Sequence, residues 1–219
     1  MLPSDDPLGS PHPLPWNWVL TTHATVSQQE GCGQHSYQTP PLGSPDGEYR
    51  AYTRIVLHVE PALPRSRVSS QLCLENCRTG NEQIIHATAP MAAATLAGST
   101  ESELKGTIAL SMPLSWSQNS DRLLVRHFEG LFCASEATDY ALIWDRRQPN
   151  SLTLAPNRIY HTHAILLGWS EADPSRVLFQ VGCMGKSDWR TCSVNLSGVT
   201  MDADGDRAVV FGRTIENQE

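Results

Sequence analysis

The sequence predicts an all-β protein: an antiparallel β-sandwich, jelly roll or barrel of roughly 10–13 short strands with at most one short helix. Three observations carry this expectation. Short segments rich in β-branched and aromatic residues recur along the chain. Clusters of Gly, Pro, Asp and Asn separate them about every 8 to 15 residues. Long amphipathic stretches of the kind that connect parallel strands are missing.

Residues 1–15 (MLPSDDPLGSPHPLP) read as a proline-rich flexible lead-in, and 16–219 as a single β-rich domain. Residues 16–26 (WNWVLTTHATV) are aromatic and β-branched and read as a first strand. Residues 40–47 (PPLGSPDG) are turn chemistry. Residues 48–59 alternate: Tyr49, Ala51, Ile55 and Leu57 share one parity, with Thr53 between them, and Arg50, Arg54 and His58 take the other. That is the pattern of a half-buried strand, and Pro61 and Pro64 end it. Residues 67–74, 83–89 and 103–112 follow as strands. Residues 122–128 and 130–134 read as a pair joined near Glu129-Gly130. Then come 140–144, the turn 145–151 (DRRQPNS), and strands at 158–169, 176–181, 192–201 and 207–213. The one helix candidate is 92–105, where Thr100 and Glu103 have capping-box spacing and Gly98 and Ser99 interrupt.

Composition excludes several function classes. The formal net charge is -7 and the chain has two lysines, Lys105 and Lys186, a poor fit to phosphate-backbone binding, so no nucleic-acid partner is expected. Apolar runs such as 164–167 and 208–211 are far shorter than the ~20 residues of a spanning helix, so no membrane insertion is expected. The first residues carry prolines and aspartates where a secretory signal needs a continuous apolar stretch. The expected setting is therefore a cytoplasm or, for a piece of a larger precursor, a virion surface. The phosphate-loop GxxxxGK[ST], the dinucleotide GxGxxG and the nucleophile-elbow GxSxG are all missing.

Cys32, Cys73, Cys77, Cys133, Cys183 and Cys192 are even in number and compatible with bridges or with scattered buried thiols. Cys73 and Cys77 form the one close pair, short of the four ligands of a structural zinc site. His161 and His163 share a strand face and would need a third ligand, from His58, His127 or a carboxylate. Asp202, Asp204 and Asp206 around Gly205 have calcium-loop spacing, without the glutamate that completes an EF-hand. The plainer reading is a hairpin turn between 194–201 and 207–213. No other cofactor is expected. Asn195-Leu196-Ser197 is a glycosylation sequon.

His23-Ala24-Thr25 and His86-Ala87-Thr88 repeat one pattern. On strands, His23 with Thr25 and His86 with Thr88 would each present an imidazole and a hydroxyl on one face. Two such strands side by side would supply a general base and a general acid. These six residues resemble the paired His-x-Thr motifs of the two-histidine phosphoesterases, a family whose sheet carries packed helices. The resemblance implies His23 and His86 as catalytic.

Of six tryptophans, Trp16, Trp18, Trp144 and Trp169 fall in expected strands and belong to the core. Trp116 (SWSQNS) and Trp189 (KSDWRT) fall among turn residues, where an aromatic ring beside polar groups suits sugar or protein recognition. Arg146 and Arg147 offer guanidinium forks for carboxylates. The function these features favour is non-enzymatic: a recognition domain binding a cell-surface glycan or protein receptor through Trp116, Trp189, Arg146 and Arg147. A projecting spike on a non-enveloped virus capsid, associated as a homodimer or homotrimer, would suit it. The alternatives are the His-x-Thr phosphoesterase and a β-barrel holding a lipid or small ligand in an apolar cavity.

Overall fold

The computed structural model describes residues 6–100, 104–148 and 150–215. The architecture is all-β, built from fifteen strands: β1 Gly33–Gln38, β2 Leu42–Gly43, β3 Tyr49–Val59, β4 Arg67–Asn76, β5 Glu82–Ile85, β6 Thr107–Trp116, β7 Arg122–Leu131, β8 Ala137–Asp145, β9 Leu152–Leu154, β10 His163–Ser170, β11 Arg176–Gly182, β12 Arg190–Asn195, β13 Thr200–Asp202, β14 Ala208–Val209 and β15 Arg213–Thr214. Two α-helices accompany them among the described residues, α1 Trp16–Gln29 and α2 Pro90–Leu96. The larger sheet runs β15-β2-β3-β4-β6-β7-β8-β9, with β1 beside β3 and β5 beside β4. The smaller runs β13-β12-β11-β10-β14. Pairing is antiparallel save for one parallel contact of β4 with β6, at Val68 and Ile108.

β7 is the strand on which the layers converge. Every residue from Leu123 to Gly130 is buried, so both faces of the sheet are covered here. One face carries Leu123 and Val125, which join Trp116, Leu142 and Trp144 in one core. The other carries Leu124, which packs with Ala141 and Ile143 against the smaller sheet. Phe128, also on that face, packs with Leu110, Ile55 and the α1 residues Val19 and Val26. The interiors are filled by side chains such as Trp116, Trp169, Phe128 and Phe179, and both sheets are open. None of the helices among the described residues is long and apolar enough to cross a membrane.

The expected strand at 16–26 is instead the first eleven residues of α1. Its inward residues are Val19, His23 and Val26, with Trp16 packed on the same core. That spacing of three and four is the helical period, and it outweighs the β-propensity of the individual side chains. Residues 122–131 form one strand, and the expected pair split at Glu129-Gly130 does not exist. The region 192–201 is a hairpin of β12 and β13. β14 pairs with β10, so 202–206 is a crossing and not the hairpin turn expected there. The expected helix at 92–105 is realised as α2, which ends before Gly98 at φ 78°; Glu103 of its capping box lies outside the described residues. By contrast β3 alternates as read, with Ala51, Thr53, Ile55 and Leu57 all fully buried.

From Asp6 onward the lead-in packs against the domain. Arg126, 0% exposed, donates from Nε to both oxygens of Asp139 at 2.9 Å. Its Nη1 donates to Asp6 Oδ2 at 2.6 Å and to the His12 carbonyl at 2.7 Å. Asp6 also accepts from the N–H groups of Leu8, Ser10 and Leu14, which folds the proline-rich segment around its own carboxylate. Asp139 Oδ2 accepts from Leu166 N–H on β10, and His12 meets the Leu167 carbonyl at 2.8 Å.

Burial pushes the Asp139 carboxyl up to about 6, against the opposing pull of Arg126 and the Leu166 N–H. At Asp6 burial also raises the pKa, but the hydrogen bond and charge of Arg126 outweigh it and the carboxyl falls below its usual value. The two groups act on stability with opposite signs. Asp139 binds its proton more tightly when folded, so its contribution is full below 3.8 and is lost as pH rises through about 6. The contribution of Asp6 is present above 3.8 and is lost as pH falls through its lowered value. A carboxyl-carbon NMR titration should show the Asp139 midpoint near 6, and a midpoint below 4 would refute the burial argument. Asp139→Asn leaves Arg126 short of one buried carboxylate and should cost about 3–5 kcal/mol in urea unfolding at neutral pH.

Candidate functional site

The smaller sheet ends in a cleft of about 410 Å³, lined by Arg158, Ile159, Tyr160, Val181, Gly182, Cys183, Lys186, Asp188 and Arg190. Two connections meet here, 155–162 leading into β10 and 183–189 joining β11 to β12. The Thr162 N–H donates to the Gly182 carbonyl and holds them together. Arg158 takes a left-handed backbone at φ 60°. In the 183–189 loop, the Lys186 N–H closes a turn on the Cys183 carbonyl, and Gly185 supplies φ 80°. Trp189 Nε1 donates to the Lys186 carbonyl at 3.0 Å. Its ring lies over Gly182, where a Cβ would sit 2.6 Å from the indole; only glycine admits the ring there.

Tyr160 stands out of this cleft with 87% of its surface exposed, the most exposed of the large hydrophobic side chains described. Met184, also exposed, adds apolar surface at the same end of the smaller sheet. Arg158, Lys186 and Arg190 are exposed, and none of them forms an ion pair among the described residues. A chain of net charge -7 with two lysines thus places three cations and one carboxylate, Asp188, around an open phenol ring. The arrangement suits an anion with a flat or apolar body: the ring gives contact area and the guanidinium forks take the charge.

The expected site residues are distributed differently. Trp189 borders the cleft as a half-buried brace, 6.4 Å from the His163 ring. Trp116 is no loop residue: it ends β6, is fully buried, and donates from Nε1 to the Leu42 carbonyl. It packs edge-on to Trp144 at 6.2 Å, and Tyr49 touches both rings. Arg146 caps this cluster, 4.6 Å over Tyr49, with its forks on Glu48 and Asp46. Its guanidinium is therefore committed to the protein itself, which removes it as a free carboxylate receptor. Arg147 is largely exposed and approaches Asp121 at 3.5 Å, away from the cleft residues. Sequence reading missed Tyr160, because a tyrosine in what reads as a long strand (158–169) gives no sign of pointing into solvent.

The His-x-Thr pairs do not converge. His23 and Thr25 lie on α1, where residues two apart do not share a face. His23 is buried and meets the Glu60 carbonyl, just beyond the end of β3. His86 and Thr88 follow β5, whose Ile85 pairs with Leu72 opposite the middle of β3. His161 is held to the Ile159 carbonyl and His163 to Ser135 and Thr162. Asp206 accepts from Ser170, Ala172 and Arg207, structural bonds that close a turn, while Asp202 and Asp204 stay exposed. No group of three metal-ligating side chains occurs among the described residues.

All six cysteines are free, Cys73 and Cys192 buried and the others nearer the surface. A thiol reagent added to the denatured, unreduced chain should count six. Trp116→Ala should cost about 3–5 kcal/mol in urea unfolding, as truncation of a fully buried aromatic, and Trp189→Ala clearly less. Equal costs would contradict the burial contrast. No protein-family model matches the chain, and no curated protein sequence matches it.

Proposed function

We infer that the chain is a recognition domain whose cleft at the Tyr160 end of the smaller sheet takes an acidic ligand, a glycan carrying a carboxylate of the sialic-acid type. The exposed phenol ring of Tyr160, flanked by Arg158, Lys186 and Arg190, is the observation that carries this reading. Covering the exposed ring releases its hydration water, and sugar faces stack on such rings. The rigid β scaffold beneath, with Trp189 bracing the loop on Gly182, keeps these groups in position without a ligand. Attachment to a protein receptor through an acidic patch uses the same cations, and a negatively charged glycan distinguishes itself by engaging the ring.

A projecting spike on a non-enveloped virus capsid is a setting that this recognition chemistry suits. Binding to immobilised carboxylated glycans, compared with their neutral counterparts, tests that chemistry. Tyr160→Ala and Arg190→Ala should each weaken binding about tenfold or more, equivalent to about 1.4 kcal/mol. Arg146→Lys should leave it unchanged, and raised salt should weaken it. Equal retention of neutral and carboxylated glycans, or full binding by Tyr160→Ala, would overturn the assignment.

A further inference from the structure

On the larger sheet, away from the cleft-lining residues, three buried polar side chains form one hydrogen-bonded line. Ser111 on β6 sits directly opposite His127 on β7, and Glu129 follows on the same face of β7. Ser111 Oγ lies 2.8 Å from His127 Nδ1, and His127 Nε2 lies 3.2 Å from Glu129 Oε1. A carboxylate only accepts, so Nε2 carries the proton and Nδ1 presents its lone pair to the Ser111 hydroxyl. Glu129 is fixed in turn by the Ala92 N–H at 2.9 Å. Serine, base and orienting carboxylate thus stand in the order of a nucleophile relay, recognised by its roles and not by sequence position.

The relay opens on a pocket of about 70 Å³ at the point where β4 leaves β6 and turns to β5. Ser111 and His127 line it, together with Gln71 and His86, which are exposed at its mouth and carry hydrogen-bond donors. The space is small and fits a short acyl group. We propose that Ser111, His127 and Glu129 form a serine-nucleophile site for small acyl esters, with acetyl esters the fitting class. This goes beyond the recognition reading and does not rest on it.

In the acylation step Ser111 Oγ bonds to the carbonyl carbon and its proton passes to His127 Nδ1. The tetrahedral centre then breaks its bond to the alkoxide, which takes that proton and leaves as the alcohol. A solvent water repeats the sequence on the acyl-serine bond: it gives a proton to His127, releases acetic acid and returns the proton to Ser111 Oγ. Gln71 and His86 are among the pocket-lining donors that could meet the transient oxyanion. Glu129 is a positioning residue, acting through the imidazole.

Methanesulfonyl fluoride, a reagent small enough for the pocket, is the probe. The intact protein should gain one covalent adduct, mapped by mass spectrometry to Ser111, and should hydrolyse p-nitrophenyl acetate above the rate of an equal concentration of free imidazole. Glu129→Gln should lower the maximal inactivation rate about tenfold or more while leaving the half-saturating reagent concentration unchanged, a split that a purely structural role would not produce. Ser111→Ala, checked for folding by circular dichroism, should lose both adduct and hydrolysis. Should Ser111→Ala fail to fold, the adduct map on the natural chain still decides. An adduct elsewhere, no adduct, or hydrolysis that survives in folded Ser111→Ala overturns the proposal. Glycan binding is read separately, with Tyr160→Ala as its own control.

Discussion

One buried guanidinium ties the molecule together. Arg126 projects from the face of β7 that meets the smaller sheet, and its donors are shared between Asp139 on β8 and Asp6 in the N-terminal segment. Asp139 reaches on to the backbone of β10, and the His12 carbonyl completes the shell. Two sheets and the lead-in therefore meet at one charge. A charge so fully desolvated is tolerated only because two carboxylates and a carbonyl satisfy it, and each of the three segments must be in place for that to hold. The arrangement makes the docking of the sheets cooperative with the docking of the N-terminal segment.

The same strand gives the molecule two chemically different sides. Because side chains alternate along β7, Arg126 faces the smaller sheet while His127 and Glu129 face the opposite way. Each polar group has its own partners, and neither could exchange faces without stranding a buried charge or donor. The His127 line is shielded by α2, whose Ala92 N–H contributes to it, and is bounded by the gap where β4 divides its edge between β6 and β5. That division leaves a small pocket beside the His127 line.

Aromatic residues divide by the same logic. Trp116, Trp144 and Tyr49 pack together under Arg146, so four side chains that read as exposed or separate form one capped cluster. Tyr160 does the reverse and stands in solvent. Around it the short connections at the end of the smaller sheet gather cations that are far apart in sequence, Arg158 on one side and Lys186 and Arg190 on the other. The result is a local positive patch on an acidic chain.

Much of the sheet structure was legible in the residues themselves. The alternation from Tyr49 to Leu57 and the apolar run of β11 required no knowledge of neighbours, because a half-buried or buried strand writes its period into the chain. The lead-in and first segment were not legible by composition: prolines suggested a tether and tryptophans a strand, while Asp6 found Arg126 more than a hundred residues away and Trp16 to Val26 found a helical stripe against β3. The site residues were the least visible. Ser111 lies sixteen residues from His127, and only antiparallel pairing sets them opposite one another. Sequence alone thus determined the β architecture, the net charge and the inventory of reactive side chains, all properties of local pattern. Tertiary structure decided which tryptophans are hidden, which cations stand free and which serine meets which histidine. Those depend on strand register and sheet docking, and these are fixed by contacts between segments that carry no mark of each other.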